Sequence, residues 1–138
     1  MRLAVFDTNI IISAGIKRHG APATLVIDWA LEGQLQVVVC PSVVTEYRQV
    51  ARRSKFLAHG FPPLWLELLI EGGLHLPEPN AWPDPLPDPK DAPFLALSRA
   101  SGAWLVTGNL KHFPEKSRSG AIVLSPADYL AHLQSGVK

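Results

Sequence analysis

The stretch Leu3-Ala4-Val5-Phe6-Asp7-Thr8-Asn9-Ile10-Ile11-Ile12 sets one acid between two apolar runs. Leu3–Phe6 has the length and composition of a buried strand, and Ile10–Ile12 opens the next core element. An unpaired carboxylate at that junction is costly. Asp7 therefore needs a cation, a hydrogen-bond network or an exposed strand end.

Outward from this first strand, β-rich apolar runs recur at Leu35–Cys40, Trp104–Thr107 and Ala121–Leu124, each followed by helical spacing. Helices are predicted over Pro22–Glu32, Ser42–Ser54, Pro63–Glu71, Ala92–Ala100 and Pro126–Leu133. Pro22, Pro63 and Pro126 stand near helix starts, where a missing amide hydrogen costs little, and Ser42 and Ser125 are the expected N-caps. Glycines in Glu71-Gly72-Gly73 and Ala100-Ser101-Gly102 end two of these helices. Strands alternating with helices predict a three-layer α/β/α fold with a central parallel sheet of four to five strands. Pro77–Pro93 holds seven of the thirteen prolines, which excludes regular helix or a central strand there. Too few elements follow it for a second core, so it is read as a stiff crossover loop within a single domain spanning residues 1–138.

The 138 residues are 47% hydrophobic, enough for one core. No apolar run approaches the roughly 20 residues that span a bilayer, and the N-terminus enters a strand without a signal-peptide layout, so a cytoplasmic protein with no membrane contact is expected. Cys40 is the single cysteine; at the end of LQVVVC it reads as a small buried hydrophobe. The net charge of +1 hides local asymmetry. Arg48, Arg52, Arg53 and Lys55 form one basic group and Lys111, Lys116 and Arg118 another, with Asp84, Asp88 and Asp91 between them.

In open parallel sheets, ligands bind beyond the carboxyl ends of the strands. Asp7 follows the first strand there. Glu46 lies in the first turns of the helix after the second strand, with no Lys or Arg at i+3 or i+4 to explain it as a local salt bridge. Asp88 and Asp91 precede the Ala92–Ala100 helix, where the helix dipole alone accounts for one of them. Thr107, Gly108 and Asn109 follow the next strand. Oxygen ligands from four chain segments on one edge suit Mg²⁺ or Mn²⁺. Zinc is disfavoured: His19, His59, His75, His112 and His132 are scattered, and one cysteine builds no thiolate site. The segment DTNIII also lacks the glycines of a phosphate loop.

Three segments, VFDTNIIISA, PSVVTEYRQVARRSKF and DPKDAPFLALSRASGAWLVTGNLKHF, together resemble the PIN-domain family, in particular the bacterial VapC-like toxin components of toxin-antitoxin pairs. The resemblance covers nearly the whole chain. It implies that Asp7, Glu46 and Asp91 are the catalytic, metal-binding acids, that Asp88 is an additional acid, and that Asn109 takes the place of a fourth. Thr8, Asn9 and Thr107 match residues that orient carboxylates and water. His112 stands where relatives often carry another aspartate, which with Asn109 removes negative charge from that corner.

The resemblance implies a Mg²⁺- or Mn²⁺-dependent endoribonuclease that hydrolyses single-stranded RNA. It further implies a cognate antitoxin protein as partner and a homodimer or higher homo-oligomer. Arg48, Arg52, Arg53 and Lys111 are the candidates for holding the RNA backbone. The alternative is a catalytically degenerate PIN module that binds RNA or a protein partner without cleavage.

Overall fold

The computed structural model describes residues 2–136. Its centre is a five-stranded, all-parallel sheet of order β3-β2-β1-β4-β5, built from β1 (Arg2–Phe6), β2 (Leu35–Val39), β3 (Leu74–His75), β4 (Trp104–Val106) and β5 (Val123–Leu124). Ala4, Val5 and Phe6 are wholly buried, as the apolar run requires of a strand covered on both faces. Sequence pattern misses β3. It pairs only Val38 with Leu74 and Val39 with His75, too short a run to carry a periodicity. Gly73 permits this pairing, because a Cβ there would stand 2.7 Å from the Val37 carbonyl oxygen.

Helical segments cover the sheet or bridge its edges, most of them near their expected places. α1 (Thr8–Ile16) begins directly after Asp7, and α2 (Ala21–Ala23) is a single turn that continues as a π-helix over Thr24–Ala30, where one α-helix is predicted. α3 (Pro41–Ala51) starts one residue ahead of expectation and breaks earlier, giving way to a 3₁₀ segment at Ser54–His59. Ser42 is thus not its N-cap. Cys40 holds that position, and the Ser42 hydroxyl and amide instead donate to the Glu78 carboxylate, at 2.5 and 2.9 Å. α4 (Trp65–Glu71) and α5 (Ala92–Ser101) follow, α5 ending on Gly102 at φ 75°, a left-handed conformation that favours glycine. α6 (Pro126–Gln134) is capped as expected, the Ser125 hydroxyl accepting from the Asp128 amide at 3.1 Å.

The proline-rich crossover is a fastened strap. The Trp82 indole donates to the Ser117 carbonyl at 2.7 Å, the Ser117 hydroxyl donates to the Pro85 carbonyl at 2.8 Å, and the Arg99 guanidinium covers the Trp82 ring at 4.5 Å. Cys40 is buried, as expected. Among the described residues no helix is long and apolar enough to cross a membrane.

Connections leave β1 and β4 in opposite directions across the sheet. With right-handed crossovers this puts helices on both faces and opens a crevice at the carboxyl ends of β1 and β4. Phe6 pairs with Val106 at that end, and the Asp7 amide donates to the Val106 carbonyl at 2.9 Å. Asp7 and Thr107 therefore leave the sheet side by side.

Candidate functional site

Asp7 answers the question posed by its sequence through a hydrogen-bond network, not through exposure: it is 5% exposed. Its Oδ2 accepts from the Thr107 hydroxyl at 2.8 Å and from the Asn9 amide at 3.2 Å. Thr107 is itself fixed, since its Oγ1 accepts from the Asn109 backbone amide at 3.0 Å. The Asn9 carbonyl oxygen accepts from the Gly108 amide at 2.9 Å. The short β4 and its following turn thus clamp the first acid from across the sheet.

Above this buried carboxylate lies an open cleft of about 380 Å³. Glu46, Asp88 and Asp91 line it together with Thr8, Asn9 and Ser13, the cations Arg53 and Lys90, and an apolar wall of Ile12, Val50 and Phe56. The Thr8 hydroxyl donates to Glu46 Oε2, tying the start of α1 to the middle of α3. The next residue of α3, buried Tyr47, donates its hydroxyl to the Phe6 carbonyl, which locks α3 to the end of β1. Asp88 Oδ1 accepts from the Lys90 amide at 3.0 Å, so Asp88 caps the 3₁₀ turn Pro89–Asp91 while facing the cleft.

Asp91 has a different environment. It is 9% exposed, and its Oδ2 is buried without a hydrogen-bond partner. His112 Nδ1 stands 3.0 Å from that oxygen, a close contact lacking the N–H alignment of a hydrogen bond. Burial pushes the Asp91 carboxyl up from the usual 3.8 to about 6; the Asp7 charge adds to this, His112 opposes it, and Asp88 adds a smaller push. Burial likewise raises Asp7, against the Thr107 and Thr8 hydrogen bonds and the His112 charge. Glu46 is raised by burial and by Asp7, with Thr8 and Arg53 opposing. Three acids that resist ionisation beside one another form a site short of positive charge.

The donor set fits a hard divalent cation: carboxylate oxygens, one of them buried with no hydrogen bond and with His112 in close contact. Among the described residues no three His, Cys, Asp or Glu side chains form a group that could hold a metal ion by themselves.

The structure does not gather every residue singled out from sequence. Arg53 lines the cleft, whereas Arg48 turns away, its guanidinium paired with Glu67 at 2.7 and 3.1 Å. Arg52 and Lys111 are exposed outside the cleft lining. Asn109 contributes its backbone amide to Thr107, and its side chain does not line the cleft. Lys90 and Phe56 line it but carry no sequence signal of doing so; Lys90 could have been found only from its place between the two acids of DPKD.

A parallel 3-2-1-4-5 sheet with buried and cleft-lining acids at the carboxyl ends of its central strands defines an acid-cleft α/β protein. The family model described as "PIN domain" matches residues 3–111, and the chain belongs to that family. The fold is similar to the crystal structure of VapBC2 from Rickettsia felis bound to a DNA fragment from their promoter, with a TM-score of 0.60 and 15% identity over 89% of this chain and 98% of that one. It is also similar to FitAcB from Neisseria gonorrhoeae, with a TM-score of 0.56 and 15% identity over 90% and 98% of the two chains. At such identity these likenesses concern the fold. No curated protein matches the sequence.

Proposed function

We propose that the chain is a Mg²⁺- or Mn²⁺-dependent endoribonuclease acting on single-stranded RNA, and the toxin of a toxin-antitoxin pair. The observation that supports it most is the largely buried Asp91 carboxyl, pushed up by burial and by the Asp7 charge, in one site with Asp7 and Glu46 at the sheet's switch point. Family membership supports nuclease chemistry, and the likeness to VapBC2 and FitAcB, both two-component assemblies by name, supports an antitoxin partner.

In this reading Asp7, Glu46 and Asp91 hold the ion, with Asp88 on the rim. When bound, Mg²⁺ or Mn²⁺ supplies Lewis-acid polarisation of a phosphodiester and lowers the pKa of water. Thr107 and Asn9 keep Asp7 oriented, and Thr8 keeps Glu46 turned toward the cleft. Arg53 and Lys90, which line the same cleft as the acids, meet the phosphate backbone.

The test is incubation of the purified chain with end-labelled single-stranded RNA in Mg²⁺, Mn²⁺ or EDTA. Internal cleavage that needs the metal and is lost in Glu46→Gln and Asp91→Asn is expected. The non-acidic Asn109 and the contact of His112 with Asp91 favour one second reading, a degenerate module that binds RNA or a protein without cutting. Tight RNA binding with no metal-dependent products would select it.

A further inference from the structure

One wall of the cleft is not suited to a metal or a phosphate. Ile12 and Val50 are partly buried hydrophobes there, and Phe56 completes the wall with an aromatic ring. Phe56 belongs to the 3₁₀ segment Ser54–His59, which directly follows Arg53. The ring is held from behind: Phe61 packs on it with centroids 5.3 Å apart, and the Phe61 amide donates to the Phe56 carbonyl at 3.4 Å. Phe61 is in turn seated on Gly15 of α1, where a Cβ would lie 2.3 Å from the ring. Lys55 Nζ sits 5.1 Å from the Phe56 centroid. A fixed, half-buried aromatic preceded in sequence by two cations, Arg53 and Lys55, shares one cleft with carboxylates.

We propose that Phe56 is the stacking platform for an unpaired nucleobase next to the reacting phosphate, with Lys55 and Arg53 on the flanking backbone. This rests on the nuclease reading and adds to it a residue that positions the substrate. Every base has a π-face, so stacking on an aromatic is tolerant of sequence, but it requires a base free of its duplex neighbours. The cleft volume of about 380 Å³ falls within the range that takes one small, ligand-sized group, and carboxylates in the same cleft disfavour acidic occupants other than a phosphate bridged by metal. Phe56 thereby confers preference for single-stranded RNA.

The experiment measures binding and cleavage of a single-stranded RNA series in which one abasic site is moved along the chain, in Mg²⁺, by the unaltered protein, Phe56→Leu and Phe56→Tyr. The unaltered protein should bind roughly tenfold more weakly when the abasic site falls at one position beside the cleavage site, the scale of one lost stacked base. Phe56→Leu should lose a similar factor on the intact RNA, appear mainly in KM, and no longer respond to the abasic site. Phe56→Tyr should restore the response, and Leu57→Ala, at an exposed neighbouring position, should match the unaltered protein. Metal-dependent cleavage with a flat abasic scan would overturn the platform and leave the nuclease reading standing. Absence of any RNA binding would overturn both. The scan on the unaltered protein decides the matter even where a variant fails to fold.

Discussion

The Thr107 hydroxyl donates a 2.8 Å hydrogen bond to Asp7 Oδ2 across one hundred positions of sequence, joining the carboxyl ends of β1 and β4. Both side chains are buried, so neither can exchange this bond for water. Thr107→Val keeps the shape but removes a donor to Asp7 and an acceptor for the Asn109 amide. It should cost about 1–3 kcal/mol of stability in urea unfolding. On the nuclease reading it should also lower divalent affinity or activity by about ten- to a hundredfold. A variant with full metal response would show that Thr107 serves the fold alone.

Metal-free protein should lose stability as pH rises from about 4 to about 6. The Asp91 carboxyl titrates near 6 in the folded chain against a usual 3.8, so in this window the folded state holds a proton that the unfolded state has released. The raised Asp7 and Glu46 act in the same direction. Saturating Mg²⁺ should flatten or reverse the slope. Denaturant midpoints between pH 4 and 7, with EDTA and with Mg²⁺, and with Asp91→Asn as the comparison, check this.

His112→Asp should do more than Asn109→Asp. His112 stands 3.0 Å from Asp91, so a carboxylate there adds a ligand and a repelling neighbour at once, while Asn109 meets the site through its backbone amide, which donates to Thr107. Higher Mg²⁺ affinity by calorimetry and a lower melting temperature without metal are expected for His112→Asp. Equal effects of the two substitutions would put Asn109 closer to the ion than its surroundings indicate.

Arg53→Gln should weaken RNA binding and reduce its salt dependence by about 0.7 in log-log slope, the value for one phosphate contact to a single strand. Arg48→Gln should leave the slope unchanged, because its charge is committed to Glu67. Anisotropy titrations over a range of KCl concentrations distinguish the two arginines.

Gly15→Ala should destabilise the chain by about 1–3 kcal/mol, since the added methyl overlaps the Phe61 ring in a closed contact. Thermal unfolding measures it, and Phe61→Leu in the same chain should recover part of the loss.

Much of this architecture is legible from local pattern. The apolar runs around Asp7 specify β1 and the start of α1, and the alternation of strands with helices carries the parallel α/β/α class with it. What stays hidden depends on partners far along the chain. β3 exists because Val38 and Val39 offer a free edge and Gly73 lets the backbone close on it, which two residues of sequence cannot advertise. Ser42 looks like a cap, but Glu78, 36 positions on, captures its hydroxyl and amide. Arg48 and Arg53 look alike in a basic helix, and only the position of Glu67 on α4 separates them. Phe56 carries no mark of the cleft in sequence, because Phe61, seated on Gly15, packs behind its ring only in the fold.

The central claim is that the acids at the β1–β4 crevice form a metal-dependent ribonuclease centre, and Asp7→Asn tests it most directly. Asparagine keeps the shape of Asp7 and relieves its repulsion with Glu46 and Asp91, so the metal-free fold should be at least as stable as the parent. The measurement is the initial rate of single-stranded RNA cleavage over a Mg²⁺ and Mn²⁺ titration for the two proteins, with melting temperature recorded alongside. Metal-dependent cleavage by the parent, abolished in a fully folded Asp7→Asn, is the predicted result. Cleavage by Asp7→Asn at the parental rate and metal dependence would contradict the account.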